Sequence, residues 1–352
     1  MSKSKILVAL IAGLFSISSA FAGEMTVTGS MQATYQQDRE GGSTSGNTGN
    51  PLGLNTDLAF TGTTEVLNGT TVTWTMATDG TFLSDSGADH KLVFTNGFGS
   101  FQIGNSGDAA DAIDDITPSA FEEANGSGSG LYGSGTSGSD LGSGMDGSMS
   151  VGYRNADVLG TGISFGLNYY PKLDGSTNNE KGSSGAGTNA TSAYTVSLAT
   201  SLANVPGIGS TPIGGLKVTV GYENSDSVIA NADPKEGATI ALNYAMGPVS
   251  LGYQKKAHQP KATAVATKIF YKDDIIGIAF AVNDSLALSW NRYSSTKHAN
   301  IATTVEQETD AINLAYTVGG LTIAIQDAQT DNYGYTVNSK DDTRTLSLKT
   351  AF

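Results

Sequence analysis

The sequence predicts an all-β protein whose strands form a transmembrane antiparallel β-barrel of sixteen strands. Three observations predict it. Short stretches alternate between apolar and hydroxyl- or amide-bearing residues, the connections between them alternate between short and long, and no stretch has a helical pattern. The chain has 352 residues, with 45 glycines, eight prolines and no cysteine. Disulfides and thiolate-bound metals therefore play no part in holding the fold.

The first 22 residues have the pattern of a secretory signal peptide. Lys3 and Lys5 precede an apolar run that ends in serines before Ala20-Phe21-Ala22. The run is short for a membrane anchor, and an A-x-A ending is typical of a cleavage site. We expect removal of residues 1–22, which leaves residues 23–352 as a single barrel domain. That domain has 17 basic and 33 acidic residues, a charge of −16 (17 − 33), which argues against nucleic acid or an anionic lipid surface as partner.

The predicted strands begin with "EMTVTGSMQATYQQ" at residues 24–37, where Met, Val, Gly, Ala and Tyr alternate with Thr, Ser and Gln. Such an alternation puts the two sets of side chains on opposite faces of a strand. Further strands are predicted at 57–66, 70–78, 90–95, 100–105, 148–155, 162–170, 193–202, 216–225, 238–245, 249–255, 275–282, 286–293, 309–318, 321–327 and 342–352. The pattern is weakest over residues 256–275.

The lengths of the connections alternate with strand number. Connections after strands 2, 4, 6, 10, 12 and 14 are short, and that after strand 8 (203–215) is the exception. Connections after odd-numbered strands are long and polar. A globular sandwich gives no reason for this segregation, whereas membrane barrels have short periplasmic turns and long extracellular loops. The long loops are therefore predicted to be extracellular, and both chain ends periplasmic.

Aromatic residues near both ends of the strands predict two girdles at the membrane surfaces, with apolar residues between them. The opposite face, rich in Thr, Ser, Gln and Asn, suits a water-filled lumen and is not explained by the core of a soluble β-protein. Because lipid cannot satisfy backbone polar groups, the last strand must pair with the first. The chain ends in "DTRTLSLKTAF", and we expect its terminal Phe352 to lie in the periplasmic girdle and to act as an assembly signal.

Together these features resemble the sixteen-stranded outer-membrane porins of Gram-negative bacteria, of the general diffusion type. The resemblance rests on the signal peptide, "LAFTGTTEVLNGTTVTW", "LVFTNGFGSFQIGN" before a long third loop, "MSVGYRNADVLGTGISFGLNYY", the recurrent "VGY" and "LGY" tripeptides, and Phe352. It implies homotrimers in outer-membrane lipid, inserted by the outer-membrane assembly machinery. It also implies passive diffusion of small hydrophilic solutes and ions, and a third loop folded into the lumen as a constriction. No cofactor is expected.

The third loop, residues 106–147, is the most acidic part of the chain. No Lys or Arg occurs between Lys91 and Arg154. Its first half supplies the candidate constriction residues, which are Asp108, Asp111, Asp114, Asp115, Glu122 and Glu123. A solvated surface loop is the alternative interpretation, and the spacing does not match a twelve-residue calcium loop.

In the porin family that the sequence resembles, basic residues on the barrel wall face the acidic loop. Strand parity predicts an inward orientation for four basic residues, which are Lys91, Arg154, Lys217 and Lys349. A charge on the lipid face near the midplane would cost about 2–4 kcal/mol, which favours the inward orientation. Arg292 and Arg344 lie on the same face of their strands as residues predicted to face lipid, so we expect them at the outer rim. The basic wall is therefore thin, and a solvated lumen position without a selective role is an equal alternative for each lysine.

The sequence does not predict an enzyme or a metal site. His90 lies near the start of a strand, and His258 and His298 lie in predicted outer loops. The segment "GSGSG" at 126–130 lies in a low-complexity loop and not at a strand-to-helix turn. We expect a weakly cation-selective diffusion channel. The alternatives are a solute-selective porin and a secreted soluble β-domain such as an adhesin, against which the hydroxyl-rich face argues.

Overall fold

The computed structural model describes residues 23–41, 51–66, 69–79, 89–124, 141, 145, 148–173, 191–204, 209, 211–227, 233–260, 269–299 and 304–352. The proposed signal peptide lies outside them. Within these residues, sixteen strands close into one antiparallel barrel, in which sequence neighbours pair and β1 pairs with β16. The predicted fold class is confirmed. The strands are β1 (Glu24–Gly41), β2 (Leu52–Val66), β3 (Thr70–Asp79), β4 (Asp89–Asn96), β5 (Gly99–Gly104), β6 (Ser150–Asn155), β7 (Ile163–Tyr170), β8 (Ala193–Ser201), β9 (Leu216–Ser225), β10 (Lys235–Met246), β11 (Val249–Gln259), β12 (Ile269–Asn283), β13 (Leu286–Ala299), β14 (Val305–Val318), β15 (Leu321–Asp331) and β16 (Lys340–Ala351).

Every predicted strand is present, but several strands are longer than predicted at the end opposite the short turns. β12 begins at Ile269 and β13 continues to Ala299, each six residues beyond the predicted bound. The prediction that His258 and His298 lie in outer loops is therefore wrong, because both belong to strands. Among the described residues, no helix has the length and apolar character needed to cross a bilayer.

The two faces of the strands differ in polarity and in exposure. In β14, Ile312 is 62% exposed, whereas the adjacent Asn313 is fully buried. The same contrast recurs around the barrel, with exposed Ile, Leu, Val and aromatic side chains on one face and buried Asn, Gln, Thr and Ser side chains on the other. In a membrane barrel the apolar face points to lipid and the polar face inward. The interior is thus largely polar.

The barrel closes where β1 meets β16. Gln32 Nε2 donates a hydrogen bond of 2.9 Å to Ser347 Oγ across this seam. At the short-turn end of the barrel, the backbone of Phe352 exchanges hydrogen bonds of 2.9 and 3.0 Å with Gly29. The Phe352 ring lies over Gly29, where a Cβ would come within 2.9 Å of ring atom Cε2. The predicted pairing of the last strand with the first is confirmed.

Ion pairs occupy the outward face of β11–β16 beyond the apolar stretches. Lys255 Nζ lies 2.9 Å from Oδ1 of Asp274, and Arg292 Nη2 lies 2.7 Å from Oδ2 of Asp310. Arg344 pairs with Asp327 in the same way. Each pair joins directly opposed residues of neighbouring strands. Pairing between the strands thus continues after the outward residues have become polar.

Candidate pore constriction

Residues 106–124, which we name the inner segment, follow β5 and contact the inward face of the barrel from β7 to β15. Near its start, Asp108 accepts hydrogen bonds from Tyr170 of β7 and Thr195 of β8. Near its end, the carbonyl oxygen of Glu122 accepts a hydrogen bond of 3.1 Å from Gln326 of β15. The inner segment therefore follows the interior wall past nine successive strands.

Side-chain amides of the wall satisfy the backbone of the inner segment. Gln254 Nε2 donates to the carbonyl oxygen of Ile113 (2.9 Å), and Asn243 Nδ2 donates to that of Ile116 (2.9 Å). Further amide donors continue this pattern along the segment, namely Asn291 to Pro118 and Asn313 to Glu122, both at 2.9 Å. A non-helical segment inside a barrel needs such partners, because a buried carbonyl without one destabilises the fold.

Two of the six candidate carboxylates face the wall and not the lumen. Asp108 is 2% exposed and accepts hydrogen bonds from the Tyr170 hydroxyl, from Thr195 Oγ1 at 2.8 Å and from the Ala110 amide at 2.5 Å. Asp114 is 5% exposed and accepts a hydrogen bond of 2.8 Å from the Leu141 amide. These two side chains attach the inner segment to the barrel.

Lys256 of β11 contacts two carboxylates of the inner segment directly. Its side chain is fully buried, and its Nζ lies 3.1 Å from Oδ1 of Asp114 and 3.3 Å from Oδ1 of Asp115. Burying one cation against two carboxylates offsets the loss of hydration only when the geometry is good. Lys256 therefore clamps the middle of the inner segment to β11.

The remaining described carboxylates, those of Asp115, Glu122 and Glu123, stay partly exposed. The Asp115 side chain is 36% exposed despite its contact with Lys256. Burial raises the pKa of Glu123 to about 7, and repulsion from Asp115 and Glu122 adds to the shift. Burial also raises the pKa of Glu122, and the nearby charge of Lys349 opposes that shift. Asp111 begins a short 3-10 turn, and its side chain lies outside the described residues.

The four predicted wall cations share the inward parity but do not gather opposite the inner segment. Arg154 donates to the carbonyl oxygens of Leu167 (2.8 Å) and Gly107 (2.6 Å), so it fastens the start of the inner segment. Lys91 is paired in register with Gly104 of β5. Lys217 and Lys349 are exposed residues near the short-turn ends of β9 and β16.

Comparison with known proteins establishes the family. The model of the Gram-negative porin family matches residues 7–351 of the chain. The chain belongs to this family. The porin is accordingly a channel of the bacterial outer membrane, and its family and fold are those of non-enzymatic channels. A search of curated proteins finds no match.

Solved porin structures share this fold at low sequence identity. OmpF of Salmonella typhi, in a complex with daunomycin, matches with a TM-score of 0.66 and 13% identity over 94% of this chain and 98% of its own. OmpT of Vibrio cholerae in its trimer form has a TM-score of 0.64 and 12% identity, over 94% and 100% of the two chains. An anion-selective porin of Comamonas acidovorans has a TM-score of 0.64 and 11% identity, again over 94% and 100%.

The sequence interpretation missed several residues of this site in the porin. Lys256 lies in the stretch where the strand pattern was weakest, as does the buried Asp273, which accepts a hydrogen bond of 2.5 Å from Ser295 Oγ. A second buried ion pair joins Lys235 and Glu223 at 3.1 Å. Extending the alternation of "LGYQKKAHQ" would have identified Lys256 as inward-facing. In the described parts of the chain, no group of three or more acidic or histidine side chains is arranged to hold a metal ion.

Proposed function

We propose that the porin is a water-filled channel for passive diffusion of small hydrophilic solutes and ions, with a weak preference for cations at neutral pH. The proposal rests on the observation that the acidic residues of the inner segment fall into two groups, one bound to the wall and one exposed. Asp108 and Asp114 attach the segment to the wall, and Asp115, Glu122 and Glu123 keep exposure to the lumen. Ions in a narrow wet pore respond to the charges that line its constriction.

The preference is expected to be weak because positive charge lies close to the same carboxylates. Lys256 neutralises part of the charge of Asp114 and Asp115, and Lys349 interacts favourably with Glu122. At ~0.1 M salt, screening over about 10 Å reduces the influence of more distant groups. Selectivity is therefore expected to fall further as the salt concentration rises.

A reversal-potential measurement in a planar bilayer under a KCl gradient tests the proposal. The wild-type channel is expected to give the sign of a cation-preferring pore. Neutralising the three exposed carboxylates together (Asp115→Asn, Glu122→Gln and Glu123→Gln) is expected to remove most of the preference with little loss of conductance. Asp284→Asn, which removes a carboxylate from a tight turn far from the inner segment, is the control and should change nothing. A wild-type reversal potential of the anionic sign would overturn the assignment.

Two further parts of the proposal concern maturation and assembly. Residues 1–22 are proposed to be a cleaved signal peptide, which the N-terminal mass of the purified protein tests directly. A homotrimer is proposed because OmpT of Vibrio cholerae, which has the same fold, is described in a trimer form. Crosslinking in outer-membrane vesicles is expected to give a three-chain species, and a population that stays monomeric would contradict this assembly.

A solute-selective porin is the competing function. It would be supported by saturable transport of one solute class in a liposome-swelling assay. Under the diffusion proposal, swelling rates of uncharged sugars depend on their size and do not saturate.

A further inference from the structure

Two inward-facing glycines form a patch of bare backbone on the barrel wall. Gly252 of β11 and Gly277 of β12 are direct cross-strand partners, and Pro118 of the inner segment lies against both. A Cβ at position 252 would overlap Cδ of Pro118 and would lie 2.5 Å from Oδ1 of Asn243. A Cβ at position 277 would lie 2.6 Å from the carbonyl oxygen of Pro118 and 3.0 Å from its nitrogen. Only glycine leaves the inner segment room to lie at this depth against the wall.

Neighbouring groups hold the inner segment against this patch. Asn291 of β13 donates a hydrogen bond of 2.9 Å to the carbonyl oxygen of Pro118, on the Gly277 side. On the opposite side, Asn243 of β10 donates to the carbonyl oxygen of Ile116. One strand further, a Cβ at Gly221 of β9 would overlap Cδ1 of Ile113. Gly221, Gly252 and Gly277 thus form a shallow groove across β9–β12, which we name the seat, and the side-chain amides fix the distance of the inner segment from the wall.

We infer that Gly252 and Gly277 are positioning residues that set how far the inner segment projects into the lumen, and thereby the cross-section of the pore. The inference rests on the proposed role of the inner segment as the constriction. Non-bonded carbon atoms pack about 3.5–4.0 Å apart, so a methyl group at either position pushes Pro118 away from the wall by about 1 Å. The wall behind the glycines is a hydrogen-bonded sheet, so the displacement is directed toward the lumen.

Alanine at these positions is expected to lower the conductance but to stabilise the strands of the barrel. This difference distinguishes a positioning role from a structural role. Glycine within a strand costs roughly 0.5–1 kcal/mol relative to alanine. A glycine that served only the strand would therefore be improved by alanine, with no change in ion flow. Under our inference, alanine leaves the barrel folded and narrows the channel.

Single-channel conductance of Gly252→Ala and Gly277→Ala tests the inference, with heat-modifiable gel migration as the check that each barrel is folded. Because ion flow is limited by the narrowest point of a pore, we expect lower conductance than in the wild type in both variants. The matched control is Gly53→Ala on the inward face of β2, where the methyl group meets only the Thr34 side chain. Its conductance is expected to equal that of the wild type.

A second substitution distinguishes the two contacts. Pro118→Ala removes the ring carbon that collides with a methyl group at position 252 but keeps the backbone atoms that collide with one at position 277. It is therefore expected to restore part of the conductance of Gly252→Ala, where the Asn243 side chain remains in contact with the methyl group, and none of that of Gly277→Ala. On its own, Pro118→Ala is expected to increase current fluctuations, because the segment is held less firmly, and this variant tests the seat even if a glycine variant does not fold.

Unchanged conductance in folded Gly252→Ala and Gly277→Ala, or unchanged fluctuations in Pro118→Ala, would overturn the inference while leaving a conducting wild type as evidence for the channel. Absence of conductance in the wild type would instead contradict the proposed function itself.

Discussion

Replacing Lys256 by Met is expected to detach the inner segment from the barrel wall. The buried ammonium group lies 3.1 Å from Asp114 and 3.3 Å from Asp115. Met retains the length of the apolar stem, so the change removes mainly the charge and its hydrogen bonds. Loss of one partner of a buried ion pair costs about 3–5 kcal/mol, because the other partner remains buried without its counter-charge. Moving the inner segment into the lumen rehydrates the carboxylates and avoids part of that cost.

The adjacent residue supplies a matched control. Lys255 points outward, its side chain is 50% exposed, and it pairs with Asp274 at 2.9 Å. Exposed ion pairs contribute ~0–1 kcal/mol. Lys255→Met therefore makes the same substitution, one position along the same strand, without disturbing the inner segment.

Limited chymotrypsin digestion of the folded protein measures the detachment, with cleavage after Phe121 identified by mass spectrometry. When opening and closing are fast, the cleavage rate follows the population of the open segment. A local destabilisation of ~3 kcal/mol raises that population roughly a hundredfold, since each 1.4 kcal/mol is a factor of ten. Equal cleavage after Phe121 in Lys256→Met and Lys255→Met would refute the clamp.

Three further predictions concern pH, assembly and the start of the inner segment. The pKa of Glu123 in the folded protein is raised to about 7 from a usual 4.5, so protonation of Glu123 stabilises the folded state fully below pH 4.5, and this stabilisation is lost as the pH rises to 7. Because Glu123 gains its negative charge over the same range, cation preference in reversal-potential measurements should grow between pH 6 and 8. Glu123→Gln should flatten that change. Deletion of Phe352 should leave export intact but reduce insertion, measured as folded protein in outer-membrane fractions, and wild-type yields would contradict its role as an assembly signal. Tyr170→Phe removes a hydrogen bond to the buried Asp108 and should lower stability by about 1.5–3 kcal/mol, measured by denaturation against the outward-facing control Tyr169→Phe, whose equal loss would contradict the role of that bond.

The membrane-spanning parts of the strands were predictable because lipid imposes a local rule. Outward residues must be apolar there, so a period of two is visible in the sequence. The extensions of β11–β13 were not, because their outward side chains include Gln259, Lys272 and Thr296, and the alternation disappears. What maintains these extensions is pairing across strands, which the sequence of one strand does not reveal.

The arrangement of the inner segment was unpredictable for a different reason. Its acidic residues are visible in sequence, but their roles depend on partners far along the chain, such as Lys256 for Asp114, 142 residues away. The tripeptides "VGY" and "LGY" did indicate part of this arrangement. Their glycines, Gly221 and Gly252, point inward between two outward apolar residues and form part of the seat of the inner segment.

The distribution of the contacts of the inner segment has a consequence for the order of folding. Its partners on β11 and β15, Gln254 and Gln326, follow it by about 140 and 200 residues in the chain. Contacts between distant parts of a chain form late, since the entropy lost in closing the intervening loop must be recovered first. The seam between Gln32 and Ser347 spans 315 residues and is later still by the same reasoning. The inner segment thus forms its contacts with the wall only as the C-terminal half of the barrel folds, so the pore reaches its final cross-section near the end of folding.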